Sequence, residues 1–260
     1  PKIILSFFYL LLSLSVFSSN KNVRFSVDLS LLVNQKKFNP TTDKVYICGT
    51  FNSWGLTNLL TVENNNIYST TLSLAEDSWY EYKYFINTSG AENDGWETNF
   101  PITTSGNRRI YIGINDLKLP PVFYNDGETD KVKTTSHFIV HYTASENSYI
   151  DDFASRIEIC YTNISKAIQS FPSAKANVYL YKDLDQLHMA CGYPENGPSS
   201  IGSAWGSSLI TMLGPSASDL DGALGLFSHE NAQCLIDSKT KVTLPAWLNE
   251  GVASYYGQNF

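Results

Sequence analysis

Four side chains near the C-terminal end of the chain could together perform metal-dependent chemistry. His229 is followed directly by Glu230, and position 233, one helical turn further on, is glutamine. Residues at positions i and i+4 share one helix face, so side chains at 229 and 233 would point at the same metal ion. Glu230 could take a proton from a metal-bound water, and Glu250 could supply a further ligand. Gln233 departs from this chemistry, because a neutral amide oxygen is a weak zinc ligand beside imidazole or carboxylate.

Two predicted helices would position these four side chains. Asp219 can cap the first helix, in which apolar residues recur at roughly helical spacing: Leu220, Ala223, Leu224, Phe227, Ala232, Leu235 and Ile236. Pro245 suits the first turn of a second helix, which carries Trp247, Leu248 and Glu250.

At these residues the chain resembles the gluzincin metallopeptidases, in particular the peptidase MA-like proteins. Their hallmark is a His-Glu-x-x-His helix followed by a Leu-Pro-x-Trp-Leu-x-Glu-Gly helix. Leu244 to Gly251 match the second element, and the resemblance extends loosely back to about Ser136. The resemblance implies zinc as cofactor, held by His229 and Glu250, with Gln233 standing where the second histidine is lost.

The same resemblance implies Glu230 as general base in the hydrolysis of a peptide or protein substrate. It also implies an edge strand that holds extended peptide, for which Ser208–Leu213 is the candidate. An active peptidase and an inherited fold with an inactive site both remain open. Gluzincins continue with a helical lobe, whereas this sequence stops ten residues after Glu250. We therefore expect an incomplete domain, either because the sequence is a fragment or because the domain is a remnant.

A second set of side chains suits carbohydrate. Sugar rings have apolar C–H faces and polar rims, so a sugar site needs flat aromatic platforms and a few hydrogen-bonding groups. Trp54 and Trp96 could be the platforms, and Lys83 and Asn107 could reach hydroxyl groups. Both tryptophans lie in polar, turn-like contexts, although core packing is the commoner fate of a large aromatic.

These residues resemble the starch-binding domain, the family-20 carbohydrate-binding module. The shared elements are Gly-x-Phe-x-x-Trp ending at Trp54, Glu-Tyr-Lys-Tyr-Phe containing Lys83, and Trp96-Glu followed by Asn107-Arg. They cover residues 23 to about 115. The resemblance implies one glucan-binding surface formed by Trp54, Trp96 and Lys83. The insertion Phe100–Gly106 departs from the family's compact turn before Asn107, and related immunoglobulin-like modules share the fold without binding sugar.

Residue periodicity predicts the elements of this first domain. Val23, Phe25, Val27 and Leu29 alternate with polar residues, which indicates a half-buried strand. Further strands are predicted at Val45–Cys48, Ile67–Leu74, Trp79–Ile86 and Arg109–Ile114. Short strands separated by turns favour an antiparallel β-sandwich.

The pattern changes after a predicted linker at 116–135, which contains paired prolines and a charged, glycine-containing run. A strand at 136–143, an amphipathic helix at 149–171 and a strand at 177–181 are predicted in turn. Asp183 can cap a short helix, and one or two strands follow within 203–212. His137 and His141 share a strand face, where i and i+4 side chains are far apart, so we do not expect them to be metal ligands.

Composition and the N-terminal segment bear on the compartment. The chain has 260 residues and a formal net charge of −7, which disfavours nucleic acid and anionic membrane as partners. Residues 2–18 combine one lysine, a short apolar run and small residues, as in a secretory signal peptide, so no membrane association is expected after its cleavage. The four cysteines form no Cys-x-x-Cys pair, and we expect buried free thiols, although export would permit disulfides.

The sequence thus predicts a multidomain protein with an all-β immunoglobulin-like sandwich followed by an α+β zincin-type domain. The predicted division is a signal peptide at 1–18, the starch-binding-like sandwich at 21–115, the linker at 116–135 and the gluzincin-like N-terminal lobe at 136–260. The predicted function is that of a secreted, periplasmic or cell-surface protein that binds starch or a related α-glucan and carries a degenerate zinc site. The alternative is an active zinc peptidase, a hydrolase targeted by its glucan-binding module.

Overall fold

The computed structural model describes residues 19–98, 103, 105–125, 131–143, 146–193, 201–214, 218–240 and 242–259. The predicted signal peptide and most of the predicted insertion at 100–106 lie outside these residues. The described chain is a β-rich mixed fold with three sheets and five α-helices.

The strands are β1 Asn20–Asp28, β2 Val45–Gly49, β3 Asn58–Leu59, β4 Thr61–Asn64, β5 Ile67–Ala75, β6 Ser78–Ile86, β7 Arg108–Ile112, β8 Leu117–Lys118, β9 Val122–Phe123, β10 Lys131–Thr134, β11 Phe138–Tyr142, β12 Ala176–Tyr181, β13 Gly202–Trp205 and β14 Leu209–Leu213. The helices are α1 Ser30–Asn34, α2 Ile150–Ile168, α3 Leu184–Cys191, α4 Leu220–Lys239 and α5 Ala246–Gln258.

Two sheets enclose the first core. One has the order β4-β5-β1-β8, with β9 also pairing β1, and the other has the order β3-β2-β6-β7. Alternating residues of β1 (Val23, Phe25 and Val27) are fully buried between them, as the period-two pattern predicts.

The described strand pairings within residues 21–115 are antiparallel, as predicted, but the predicted linker adds parallel strands at one edge. β8 and β9 both pair with β1 in parallel. The chain after β7 returns along the open edge of β1, and Pro120 and Pro121 separate the two short strands. Proline has no backbone N–H to donate to a ladder, so the pairing is interrupted there. The described part of the predicted linker therefore pairs with sheets at three places, since β10 also pairs with β11.

A third sheet, with the order β10-β11-β12-β14-β13, forms the second core. On one face, Val178 and Leu180 of β12 pack with α2 and α4. On the other face, Tyr179 and Tyr181 of the same strand pack with α3. The predicted caps are confirmed, since the Asp183 carboxylate accepts the Gln186 N–H at 2.9 Å and starts α3. Asp219 likewise accepts the Gly222 N–H at 3.2 Å at the start of α4.

The edge-strand prediction for Ser208–Leu213 is wrong. β14 covers most of that segment, but it is paired on both sides, in parallel with β12 and antiparallel with β13. Its residues form a nearly continuous apolar run that is buried on both faces, which is typical of a central strand. The edge assignment came from the family resemblance and not from this pattern. The edge strand of this sheet beside α4 is β13.

The short helix α3 packs against both the first core and the third sheet. Met189 is buried in the first core, whereas Leu187 and Cys191 are buried in the cluster beneath the third sheet. The Tyr111 N–H of β7 donates to the carbonyl of Gly192, the residue after α3, at 3.0 Å. The Gln186 side chain donates to the Pro121 carbonyl at 2.8 Å. These contacts attach the first core to the third sheet through one helix.

The four cysteines are free and buried, as expected. Within the described ranges, no helix combines the length and apolar character needed to cross a bilayer.

Candidate functional site

The loop after β2 presents Trp54 on a strained backbone. Ser53 and Trp54 have φ values of 53° and 64°, in the left-handed region that a bulky residue rarely adopts. The Asn52 side chain holds this turn. Its carbonyl accepts the Gly49 N–H at 2.9 Å, and its Nδ2 donates to the Gly55 carbonyl at 2.9 Å. Strain of this kind persists only where neighbouring contacts overdetermine the loop.

Trp96 follows a similar turn, which is also held by an asparagine side chain. Asn93 and Asp94 have φ values of 50° and 53°. The Asn93 Nδ2 donates to the carbonyls of Trp96, at 3.1 Å, and of Glu97, at 3.0 Å. Gly95 has φ 87°, and a Cβ there would lie 2.1 Å from the Ile86 carbonyl oxygen, so this position requires glycine.

The two loops bring the predicted tryptophans together. The ring centroids of Trp54 and Trp96 are 6.4 Å apart, with their planes at 62°. Trp96 also packs edge-on against Phe85 of β6, at 5.0 Å between centroids. Both indoles are half-buried, so each is supported from beneath while part of its surface remains accessible.

Lys83 and Asn107 lie on the sheet face that carries Phe85. Tyr82 of β6 pairs with Arg108, the first residue of β7. Asn107, the residue before β7, therefore lies opposite Lys83. Lys83 is 9% exposed, and this burial lowers the pKa of its ammonium group. The Asn107 Nδ2 donates to Glu81 Oε2 at 2.8 Å. The sequence did not indicate Glu81, because its position two residues before Lys83 acquires meaning only through the register of β6 with β7.

The second predicted site lies where α4 and α5 meet. A Cβ on Gly225 would lie 2.8 Å from the Gly257 carbonyl oxygen, so the absence of side chains allows close approach of the two helices. His229 Nε2 is 3.2 Å from Glu250 Oε2. Gln233 Nε2 is 3.0 Å from Glu250 Oε1 and 3.2 Å from His229 Nε2. The structure thus brings His229, Gln233 and Glu250 into one hydrogen-bonded triad.

Glu230, the residue after His229, contacts β13, where its Oε1 would lie 3.0 Å from a Cβ added at Gly202. It is 5% exposed, and burial, followed by the nearby Glu250 charge, raises its pKa to about 7. Its carboxyl group accepts the backbone N–H of Ala204. A groove of about 660 Å³ runs between the two helices and β13, and His229, Glu230 and Gly202 are among the residues that line it.

The donor set of the triad does not fit a zinc ion. Catalytic zinc is held by three protein ligands drawn from imidazole, thiolate and carboxylate, and here only His229 and Glu250 are of those types. The Gln233 amide nitrogen faces both of them and acts as a hydrogen-bond donor to the carboxylate. Within the part of the chain that the structure describes, no group of three or more His, Cys, Asp or Glu side chains could hold a metal ion.

Comparisons with known proteins found matches among solved structures alone. No family model matches the chain, and no curated protein matches it. Among solved structures, 23 chains match. One of these is the gamma-CGTase of alkalophilic Bacillus clarkii, with 19% identity and a TM-score of 0.28. The match covers 40% of this chain and only 15% of that chain, so function has to be argued from the site itself.

Proposed function

We propose that the first two sheets form an α-glucan-binding unit and that Trp54 and Trp96 are its platforms. The observation that carries this proposal is the indole pair, 6.4 Å apart, held by two turns with left-handed backbone. A tryptophan needed only for packing gains nothing from such a turn. A tryptophan that must keep one face free for a ligand benefits, because the rigid loop fixes the ring before the ligand arrives.

The angle between the rings favours an α-linked chain. An α-1,4-linked glucose chain curves, so successive rings turn relative to one another and suit platforms that are not coplanar. A β-1,4-linked chain is extended and suits coplanar platforms. The interplanar angle of 62° therefore supports starch or a related α-glucan as the partner.

Polar groups beside the platforms can contact sugar hydroxyls. Lys83 and Asn107 lie opposite one another in the strand register, and Glu81 anchors the Asn107 amide through its Nδ2. That contact leaves the Asn107 side-chain oxygen to accept a hydroxyl hydrogen. The Lys83 ammonium is held mostly out of water, where a hydrogen bond to a hydroxyl group is stronger than at an exposed site.

Affinity electrophoresis in soluble amylopectin, with pull-down on granular starch, tests this proposal. Trp96→Ala should weaken binding at least about tenfold, which corresponds to about 1.4 kcal/mol. Trp247→Ala is the matched control, because it removes an indole that is 75% exposed on α5, outside the proposed site. Equal retention of the Trp96→Ala and Trp247→Ala proteins would rule out this glucan site. Cellulose serves as the β-linked comparison.

The unit around the third sheet is proposed to carry a gluzincin-type helix pair whose metal position is replaced by the triad. Together with the predicted signal peptide, this gives a secreted or cell-surface glucan-binding protein with a peptidase-like unit. The alternative is that the unit hydrolyses peptides. Two observations favour the alternative: Glu230 has a pKa of about 7, suited to a general base near neutral pH, and a groove lies beside the edge strand β13.

Zinc content distinguishes the replaced metal site from the active peptidase. We expect the purified wild-type protein to contain little zinc by inductively coupled plasma mass spectrometry. Gln233→His, which restores a third ligand of a suitable type, should contain near-stoichiometric zinc. Stoichiometric zinc in the wild type would contradict the replaced-site proposal and lead directly to peptidase assays. Zinc in neither protein would contradict the gluzincin assignment itself.

A further inference from the structure

A separate cavity lies where the first core meets the second. Its volume is about 270 Å³, and it is lined by Arg109, His188, Cys191, Tyr193, Ser203, Ala204 and Trp205. The residues that line it come from β7, from α3 and the residues after it, and from β13. It adjoins the end of β6 at Trp79, whereas the tryptophan pair adjoins the other end at Phe85. The cavity is therefore distinct from the proposed glucan site.

Arg109 supplies a fixed positive charge at this cavity. Its guanidinium carbon lies 4.9 Å from the ring centroid of Trp79 and 5.0 Å from that of Trp205. Two indoles, one from β6 and one from β13, thus hold the guanidinium in place, and weak hydration suits guanidinium to such a setting. Among the described residues no carboxylate forms an ion pair with Arg109. Glu81, its cross-strand partner, is bonded instead to Ser105 and Asn107.

Two polar atoms of the lining residues lack partners. Arg109 Nε and His188 Nε2 are shut off from solvent and make no hydrogen bond within the described chain. A buried polar atom without a partner costs about 1–3 kcal/mol. The imidazole nitrogen is a donor or an acceptor according to its tautomer, so the lining residues have unused hydrogen-bonding capacity beside this cavity.

The remaining groups do not neutralise the Arg109 charge. Burial raises the pKa of the Cys191 thiol, which therefore remains uncharged at neutral pH. The Ser203 hydroxyl donates to the Gly202 carbonyl, and the Trp205 indole N–H donates to the Thr211 hydroxyl. The cavity thus presents one unneutralised guanidinium, one imidazole and apolar or hydroxyl-bearing walls.

We propose that this cavity binds a small oxyanion, a carboxylate or phosphate group, with Arg109 providing the charge and His188 a hydrogen bond. Arginine suits such groups because its planar fork can donate two parallel hydrogen bonds. The volume lies just below the range of about 300–1,000 Å³ typical of drug-sized ligands, so the ligand is an oxyanion with at most a short organic body. This proposal is independent of glucan binding.

Titration of the purified full chain with sodium phosphate and with sodium acetate, at constant ionic strength set with sodium chloride, tests the proposal. Binding is read by isothermal calorimetry and by the rise in melting temperature. We expect saturable binding of at least one anion. Arg109→Gln should weaken it at least tenfold, and His188→Gln should weaken it less. Arg156→Gln is the matched control, because it removes the same charge from a surface ion pair with Asp221.

The two anions identify the chemistry of the ligand. A response to phosphate alone indicates a phosphate monoester, and a response to acetate alone indicates a carboxylate. If Arg109→Gln does not fold, Arg109→Lys and His188→Gln provide the test. No saturable binding of either anion, or equal binding by the wild type and by the variants of Arg109 and His188, would overturn the proposal.

Discussion

At the scale of single residues, two asparagines decide how the tryptophans are displayed. Asn52 and Asn93 each use a side-chain amide to replace backbone hydrogen bonds that a sharp turn leaves unmade. Asn93 itself has left-handed backbone, which asparagine adopts more readily than most residues. The sequence indicated which aromatics could contact sugar but gave no role to these asparagines.

Replacement of Asn52 by alanine should act through Trp54. The Gly49 N–H would lose its acceptor, and the turn would relax towards backbone conformations that rotate the indole away from Trp96. We expect a loss of about 1–3 kcal/mol of unfolding free energy together with weaker amylopectin binding. Urea denaturation and affinity electrophoresis measure the two effects. Full affinity in a destabilised Asn52→Ala protein would show that the loop does not position the ring for ligand.

At the same scale, residue types predicted the members of the helix-pair site but not its bonding. The i, i+4 spacing placed positions 229 and 233 on one helix face, and the structure brings both to Glu250. Whether an amide there donates hydrogen bonds depends on the separation of two helices. The close approach at Gly225 and Gly257 sets that separation, and no local pattern encodes it.

At the scale of elements, local signals predicted most of the longer units. Alternation gave β1, β5 and β6, helical periodicity gave α2, and aspartate caps gave the starts of α3 and α4. The failures concern pairing. The parallel contacts of β8 and β9 with β1, and of β14 with β12, join segments distant along the chain. Such partners depend on tertiary packing, to which short strands with weak alternation contribute little information.

The end of α3 offers a test at this scale. Gly192 has φ 82°, and an added Cβ would lie 2.9 Å from the Arg109 carbonyl oxygen and 3.1 Å from the Trp79 ring. Gly192→Ala should therefore lower the unfolding free energy by more than the roughly 1 kcal/mol of a strained φ alone. Gly113→Ala is the control, since no atom lies within 4 Å of its added Cβ. Equal melting temperatures of the two variants would contradict the packing described around Gly192.

At the scale of the whole molecule, the described chain has two large cores, each with its own candidate site. The sequence predicted a division near residues 116–135, and that boundary remains a prediction. It did not predict that Arg109, from one side of this division, would lie between Trp79 and Trp205. Such a contact has no sequence signature, because Trp205 lies nearly a hundred residues after Arg109 and no local pattern links the two.

Because α3 packs against both the first core and the third sheet, it should couple the unfolding of these two parts of the molecule. Met189 fills the first core while Leu187 and Cys191 fill the cluster beneath the third sheet. Unfolding of either part would expose apolar side chains of this helix to water and would leave apolar surface of the other part uncovered. The two parts should therefore unfold in one cooperative step. A destabilising substitution at either candidate site should lower the stability of the part that carries the other site.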